Sequence, residues 1–224
     1  MRTPLRHYRT CAIVGNGGIL LNSSCGNEID SNDYVIRLNM APTSNFEQDV
    51  GRKTNMTVIN WNIAKDIPKK LSDKNTREGV LDFLSPLNHG IISYIKVVTN
   101  RIKDALQALD TAMADSGLDI SLTYSLDDPQ VAITRVLGAA LIPKLYNPTS
   151  GLIIYTLGTT FCDVISLYGF YPFGTDGHNR TLTYRYNENS PVAIFTDHDF
   201  CIEFDFLAWL NNIGAVRLVT DTCR

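Results

Sequence analysis

The side chains of this sequence that are suited to chemistry are a histidine and two asparagines beside predicted secondary structure. His198 stands at the head of a predicted helix, and its imidazole can accept a proton near neutral pH, so it is a candidate general base. Asn16 and Asn39 each follow a predicted strand, where ligands of α/β sheets gather. Their amides can donate to and accept from phosphate, ribose and base atoms. The alternatives are a helix-capping histidine and asparagines that only form turns.

A second group of candidates opens a strongly apolar predicted helix. It consists of Thr149, Ser150 and Gly151. Free backbone amides, two hydroxyls and the helix dipole at this position could hold a carboxylate. The same residues serve equally well as an ordinary N-cap. The residue types leave both interpretations open.

A glycine-rich loop, residues 15–18, follows the first predicted strand and could turn backbone amides toward a phosphate. A dinucleotide-binding fingerprint would need a third glycine where Leu20 stands and an acidic residue where the next strand ends in Asn39. Both positions fail, which leaves a nicotinamide-dependent oxidoreductase as a weak alternative. The other interpretation is a tight turn that packs a strand against a helix.

The elements that must position these residues follow from composition and apolar patterning. The chain has 224 residues, enough for one domain, and its 44% hydrophobic and 19% charged residues exclude a disordered chain. A net charge of −3 argues against a nucleic-acid partner. The apolar runs predict strands at 11–15, 34–39, 54–61, 90–98, 164–168 and 215–220, and helices at 101–116, 129–145, 149–161 and 199–212. This alternation predicts an α/β fold with a largely parallel sheet flanked by helices, and a long irregular segment at 170–197.

Four ordered segments resemble the sialyl motifs of the animal sialyltransferases, with the greatest similarity to the alpha-2,8 branch. The large motif matches residues 11–51, the small motif 148–172, the third motif 184–186, and the very short motif His198 with Glu203. The similarity runs from residue 11 to about 220, and residues 60–145 carry little of it. It implies a single Rossmann-like glycosyltransferase domain, a GT-A-like variant, over 11–224, preceded by a stem-like segment at 1–10.

The resemblance also implies an activity. The family transfers sialic acid from CMP-sialic acid to a terminal sugar of a glycoprotein or glycolipid glycan, with inversion. For this chain an alpha-2,8 linkage is expected, with terminal sialic acid or galactose as acceptor. The expected partners are CMP-sialic acid and the glycan acceptor, and no metal or other cofactor is expected.

Roles follow from the resemblance residue by residue. His198 is then the base. The expected donor-binding residues are Asn16, Asn39, Thr149, Ser150, Gly151 and Tyr171. Tyr171 falls where relatives often have tryptophan, and its alternative is a buried loop aromatic. Glu203 is expected to be structural, with a solvated helix carboxylate as the alternative.

The main departure from the family pattern is Arg185, which stands where relatives carry the third-motif histidine. A permanent guanidinium cation can stabilise a departing phosphate but cannot donate a proton to it. The chain is therefore either an enzyme that uses Arg185 for phosphate stabilisation, or a non-catalytic binder of CMP or sialylated glycans. His178 is a possible substitute if the loop register differs.

Four of the five cysteines match the bridges of the alpha-2,8 branch. The resemblance implies the pairs Cys11–Cys162 and Cys25–Cys223, and leaves Cys201 as a free thiol. Spacing alone does not select among the three possible pairings. The alternative is four buried thiols in a cytosolic protein.

The sequence also carries signals of the cellular compartment. Asn22, Asn55 and Asn179 begin glycosylation triplets, which agree with a secretory-pathway lumen. No run of about 20 apolar residues is present. Relatives are type II membrane proteins of the Golgi, so we expect a luminal domain whose membrane anchor lies outside this chain.

Overall fold

Seven parallel strands form one sheet at the centre of the computed structural model, which describes residues 5–125, 127–140, 145, 147–192 and 198–223. The strands are β1 (Tyr8–Val14), β2 (Tyr34–Leu38), β3 (Met56–Ile59), β4 (Ile91–Tyr94), β5 (Ser121–Tyr124), β6 (Cys162–Tyr168) and β7 (Arg217–Val219). Their order is β5-β4-β3-β2-β1-β6-β7, so the chain builds outward from β1 and then returns to its other side. The strand order therefore reverses at β1, and such a switch point leaves a crevice at the carboxyl edge.

Helices flank the sheet. They are α1 (Gly26–Ser31), α2 (Glu47–Val50), α3 (Trp61–Ser72), α4 (Arg77–Leu84), α5 (Asn100–Asp115), α6 (Pro129–Ala140), α7 (Ser150–Gly158) and α8 (Phe200–Asn212). β1 and β2 read as continuous apolar runs because helices and loops cover both of their faces. The α/β class and the parallel sheet are as expected.

The core consists of three clusters. One packs α6, α7 and α8 onto the sheet, and another packs α1 and the loop residue Tyr186 against β1 and β2. The buried members of the remaining cluster all lie within residues 59–120, where α3, α4 and α5 pack against β3 and β4. This middle segment, residues 59–124, thus has a buried cluster of its own.

Most predicted elements are confirmed with shifted ends, and five are missing from the prediction, among them the short helices α1 and α2. α3 was not predicted and carries Pro68 in its interior, which is unusual for a helix. α4 also went unpredicted, and β5 is a half-exposed edge strand with little apolar signal. The helix predicted over 129–145 is described only to Ala140, since residues 141–144 lie outside the described chain. β1 begins at Tyr8, within the predicted stem-like segment, whose residues 1–4 are likewise outside it.

Two disulfides hold the fold together, with the pairing that the family resemblance implies. Cys11 of β1 is bonded to Cys162 at the start of β6, and Cys25 is bonded to Cys223 near the carboxyl terminus. They close loops of 151 and 198 residues, each worth roughly 5 kcal/mol in the chain-entropy model. Cys201 is a free, exposed thiol. Among the described residues, no helix is both long and apolar enough to cross a membrane.

Candidate active site

A cavity of about 330 Å³ lies at the carboxyl edge of the central strands and gathers the predicted site residues. Those that line it are Asn16, Asn39, Thr149, Ser150, Gly151, Tyr171, Arg185, His198 and Glu203. They come from six separate stretches of the chain. The parallel sheet brings them together because the carboxyl ends of its strands share one edge.

The glycine-rich loop forms one wall through backbone packing. A Cβ at Gly15 would lie 2.8 Å from the Gly169 carbonyl oxygen, and one at Gly17 would lie 2.7 Å from the same atom. Gly17 also pairs with Arg185 in a short antiparallel bridge. The loop therefore needs glycine to pack against two neighbouring segments, whether or not a phosphate binds there.

Asn16 and Asn39 terminate β1 and β2 side by side. The Asn16 side chain donates to the Leu38 carbonyl at 3.1 Å, which ties the two strand ends together. Asn39 has a left-handed backbone with φ of 54°, and its backbone N–H donates to the Val58 carbonyl. Asn39 Oδ1 is buried and has no hydrogen-bond partner among the described residues. A buried acceptor of this kind is costly unless a ligand donates to it.

The three candidate residues at the start of α7 differ in the contacts that they make. Thr149 Oγ1 accepts from the Leu152 amide at 3.2 Å, so this residue is the N-cap. Its hydroxyl in turn donates to Glu203. The Thr149 hydroxyl is thus committed within the protein, and the N-cap interpretation holds for it. Ser150 and Gly151 remain on the cavity wall at the helix N-terminus.

Glu203 binds the N-cap residue of α7. Its carboxylate accepts from the Thr149 amide at 2.7 Å and from the Thr149 hydroxyl at 2.5 Å. The residue is only 5% exposed, so the alternative of a solvated helix carboxylate is wrong. Burial raises the pKa of Glu203 to about 7, against the opposing effect of the Thr149 hydrogen bonds. Glu203 therefore links α8 to the N-terminus of α7.

His198 is oriented by the backbone before α7. Its Nδ1 lies 2.8 Å from the Asn147 carbonyl oxygen. A carbonyl can only accept, so Nδ1 carries the proton and Nε2 is left as the basic nitrogen. The ring also packs edge-on against Phe200 at 5.8 Å between centroids. This tautomer is the one that a general base needs.

Arg185 lies at the cavity wall next to the glycine loop. The following residue, Tyr186, donates its amide to the Asn16 carbonyl and so fixes the segment in place. The Arg185 guanidinium lies over the Tyr184 ring at 5.2 Å, and its Nη1 forms a 2.8 Å ion pair with Glu188. His178 does not line the cavity. It is exposed and lies 3.4 Å from Asp221, so the suggested substitution for Arg185 is not supported.

Tyr171 belongs to an aromatic cluster at the cavity wall. Its ring meets Phe173 and Phe204 edge-to-face, at 5.1 and 5.5 Å between centroids. Its hydroxyl donates to the Thr175 carbonyl at 3.2 Å. The ring is therefore held in a fixed orientation at the site and is not a buried loop aromatic.

Two polar cavity residues escaped sequence reasoning. Asn60 follows β3 in the same way that Asn39 follows β2, and Lys96 comes shortly after β4. Both lie inside the predicted strands 54–61 and 90–98, which extend past the observed ends of β3 and β4, so a search for polar residues near the ends of predicted strands would have found them. They extend the cavity along the sheet edge toward the middle segment.

The remaining predicted features lie outside the cavity. Asn22 and Asn179 are exposed, whereas the half-buried Asn55 accepts from the Val35 amide. Glycosylation at the three triplets stays a prediction. In the part of the chain that is described, no three histidine, cysteine or acidic side chains are grouped as metal ligands.

Solved structures of other proteins have the same fold as this chain. The chain superposes on the crystal structure of a mammalian sialyltransferase with a TM-score of 0.58 and 23% identity, over 96% of this chain and 70% of that one. A mammalian sialyltransferase structure in complex with Gal-beta-1-3GalNAc-ortho-nitrophenol gives a TM-score of 0.60 and 24% identity over the same shares. These structures share the fold of this chain.

Sequence comparison adds evidence on the family of this chain. The chain is 29% identical over 221 residues to a bovine (Bos taurus) alpha-N-acetylneuraminide alpha-2,8-sialyltransferase, over 96% of this chain and 60% of that protein. It thus spans less than two thirds of this relative's length. The model of glycosyltransferase family 29 (sialyltransferase) matches residues 2–215, nearly the whole chain. The chain therefore belongs to glycosyltransferase family 29, the sialyltransferases.

Proposed function

We propose that this chain transfers sialic acid from CMP-sialic acid to a terminal sugar of a glycoprotein or glycolipid glycan, with inversion and in alpha-2,8 linkage. Family membership and the name of the bovine relative support the reaction class. The observation that carries the proposal is the orientation of His198. Its Nδ1 is bound to the Asn147 carbonyl, which leaves a basic Nε2 at a cavity that also holds Asn39 Oδ1, a buried oxygen without a partner in the described part of the chain.

The reaction is a displacement at the anomeric carbon of sialic acid. The acceptor hydroxyl oxygen forms a bond to that carbon, and the bond from the carbon to the phosphate oxygen of CMP breaks. The hydroxyl proton passes to His198 Nε2, and CMP leaves with the electron pair of the broken bond. General base catalysis of this kind contributes roughly a hundredfold to ten-thousandfold in rate.

The donor occupies what we call the donor end of the cavity, formed by Asn16, Asn39, Ser150, Gly151, Tyr171 and Arg185. Asn39 Oδ1 accepts from a donor group of the nucleotide, which satisfies its buried oxygen. Ser150 and Gly151 offer amides of the first turn of α7 to the sialic acid carboxylate. The Tyr171 ring packs on the nucleoside, and Asn16 holds the strand ends in register.

Arg185 stabilises the departing phosphate in this scheme. Its guanidinium presents several N–H donors to a developing negative charge, and only one of its nitrogens is paired with Glu188. Because arginine stays protonated, the phosphate leaves as the anion and takes no proton from this residue. The proposal needs no metal or other cofactor.

The test is transfer itself. The purified chain is incubated with CMP-sialic acid and with acceptors that end in sialic acid or in galactose, and CMP release and sialylated product are measured together. Equal amounts of CMP and product on the acceptor that ends in sialic acid, with an inverted anomeric configuration and a linkage to O8 by NMR, support the proposal. Galactose has no O8, so transfer to the galactose acceptor contradicts the alpha-2,8 linkage. CMP binding without acceptor-dependent CMP release contradicts the proposal.

A second candidate is a non-catalytic homologue that binds CMP or sialylated glycans, and Arg185 is the residue that favours it. The oriented His198 counts against a pure binder, since binding alone needs no base. The proposed setting is the Golgi lumen. The two disulfides agree with an oxidising compartment.

A further inference from the structure

The orientation of His198 depends on contacts that begin outside the cavity. Its Nδ1 lies 2.8 Å from the Asn147 carbonyl oxygen, so the position of this carbonyl sets which ring nitrogen is basic. The Asn147 side-chain oxygen in turn accepts a hydrogen bond from Nε2 of Gln130. Gln130 is half-buried and is not among the residues that line the cavity. These contacts connect the base to a residue away from the reacting groups.

Gln130 lies in the first turn of α6, which is docked on the core. Its backbone N–H donates to Asp128 Oδ1 at 2.9 Å. Two buried residues of the helix, Ile133 and Leu137, belong to the same core cluster as the inner faces of α7 and α8. Because both the helix and its first turn are fixed, the Gln130 side chain is presented to Asn147 from a defined position.

The segment 147–149 is held from two sides. Glu203 of α8 accepts from the backbone N–H and the hydroxyl of Thr149 at one end. Gln130 of α6 donates to the Asn147 side chain at the other end. Asn147 is also the residue whose carbonyl meets His198, so the contact with Gln130 is the one that bears on the base. If that contact is lost, the Asn147 peptide can turn and its carbonyl can move away from Nδ1.

We propose that Gln130 is a positioning residue for the general base, which it orients through Asn147. The inference rests on the proposed sialyl transfer, in which His198 Nε2 accepts the proton of the acceptor hydroxyl. A ring in the opposite tautomer presents an N–H to that hydroxyl and cannot accept its proton. Position 130 lies within residues 60–145, which carry little similarity to the sialyl motifs, so motif comparison does not reveal it.

The first experiment measures steady-state kinetics with CMP-sialic acid and sialyllactose, an acceptor that ends in sialic acid. Methionine has nearly the length of glutamine but no N–H donor. We expect Gln130→Met to lower kcat about fivefold, because one hydrogen bond that orients the base is lost. Both KM values should stay within twofold, since no residue of the cavity wall is changed. An unchanged kcat, or a rise in both KM values as large as the loss in kcat, would overturn the proposal.

Gln107→Met is the matched control. Gln107 is an exposed glutamine on α5 and does not line the cavity, so the same substitution there should leave kcat and both KM values within twofold. A loss of kcat in Gln107→Met equal to that in Gln130→Met would show a general effect of the substitution and would contradict a role specific to Gln130.

A double-mutant cycle tests the route through Asn147. Asn147→Ala removes the side chain that Gln130 contacts and keeps the backbone carbonyl that His198 contacts. We expect the double variant Gln130→Met/Asn147→Ala to have a kcat within twofold of Asn147→Ala alone, because both substitutions break the same contact. A kcat lowered by the product of the two single effects would overturn this route.

Nitrogen-15 NMR of the imidazole rings reports the tautomer whether or not transfer occurs. At about pH 9, where imidazole is neutral, His198 should carry its proton on Nδ1 in the wild type, and Gln130→Met should increase the fraction with the proton on Nε2. His198→Gln identifies the signal. The same ratio in wild type and variant would overturn the proposal. Absence of transfer by the wild type would contradict the proposed function, while the tautomer ratio would still decide the role of Gln130.

Gln130→Ala is the second variant for all of these measurements. Alanine lacks the donor and favours the helix, so this variant should fold and behave like Gln130→Met. Circular dichroism checks the fold of both variants. Loss of the folded state in both would contradict the proposal, because Gln130 would then serve the fold as a whole.

Discussion

The donor end of the cavity differs from its far end, where Asn60 and Lys96 lie, in how the surrounding residues are held. Next to the donor end, contacts between distant parts of the chain fix the positions. Glu203 binds Thr149, which is 54 residues away, and His198 binds Asn147, which is 51 residues away. At the far end, Asn60 and Lys96 follow the neighbouring strands β3 and β4, which are consecutive along the chain.

Packing and cross-linking follow the same division. The disulfide Cys11–Cys162 joins β1 to β6, the two strands whose carboxyl ends border the donor end, and Cys25–Cys223 ties the carboxyl terminus to α1. The middle segment has its own hydrophobic cluster and, within the described chain, no disulfide. The difference indicates that the reacting groups are fixed by the global fold. Asn60 and Lys96, in contrast, lie in the middle segment, which has its own buried cluster, so their side chains can change without disturbing the donor end.

The largest effect is expected from removing the base. His198→Gln should lower kcat by a hundredfold to ten-thousandfold, since the proton of the acceptor hydroxyl loses its acceptor, while the KM for the donor stays within about threefold. Steady-state kinetics with sialyllactose measures both values. His178→Gln is the control, because this exposed histidine lies outside the cavity. A larger loss in His178→Gln than in His198→Gln would contradict the assignment.

The pH dependence of stability tests whether the buried Glu203 carboxyl, which binds Thr149 next to the donor end, ionises in the folded protein. Burial raises the pKa of this carboxyl to about 7, above its value of about 4.5 in the unfolded chain. The folded state therefore binds more protons between these values, and the free energy of unfolding falls as pH rises from about 4.5 through about 7. The full cost is roughly 3 kcal/mol above that range.

Glu203→Gln should remove this part of the pH dependence, because glutamine does not titrate and can still accept from Thr149. Urea denaturation between pH 5 and pH 8 measures the slope. Glu78→Gln, at an exposed position on α4, should keep the wild-type slope. If the slope in Glu203→Gln equals that of the wild type, ionisation of Glu203 does not act on the fold.

The two ends also differ in what could be predicted from the sequence. The donor end was predictable because its residues sit in motifs and directly after strands with continuous apolar runs, as Asn16 and Asn39 do. The burial of Glu203 was not, because its neighbour Thr149 comes from a distant helix. α3 was missed because Pro68 interrupts its pattern, and β5 because an edge strand is only partly buried. Lys96 was missed for a different reason, because the predicted strand 90–98 ran past the observed end of β4 and covered it.

A smaller effect is expected at Arg185. Arg185→Ala should lower kcat about tenfold, since one charge-assisted contact to the departing phosphate is lost. Arg185→His, which restores the residue of the relatives, should retain part of the activity. Arg52→Ala is the control, because Arg52 is exposed and lies outside the cavity. Unchanged kinetics in both Arg185 variants would remove this residue from the mechanism and restrict the donor end to the asparagines and α7.

The most direct test of the two-ended cavity is one set of kinetics on the wild type, Asn39→Ala and Lys96→Gln, with the KM for CMP-sialic acid and the KM for sialyllactose measured for each. We expect a crossed pattern. Asn39→Ala should raise the donor KM about tenfold and leave the acceptor KM within twofold, because in the proposed scheme the buried Oδ1 accepts from the nucleotide. Lys96→Gln should do the reverse, because Lys96 lines the cavity at the far end from the donor residues. Equal increases in both constants for either variant would contradict the division of the cavity into a donor end and a far end that receives the acceptor.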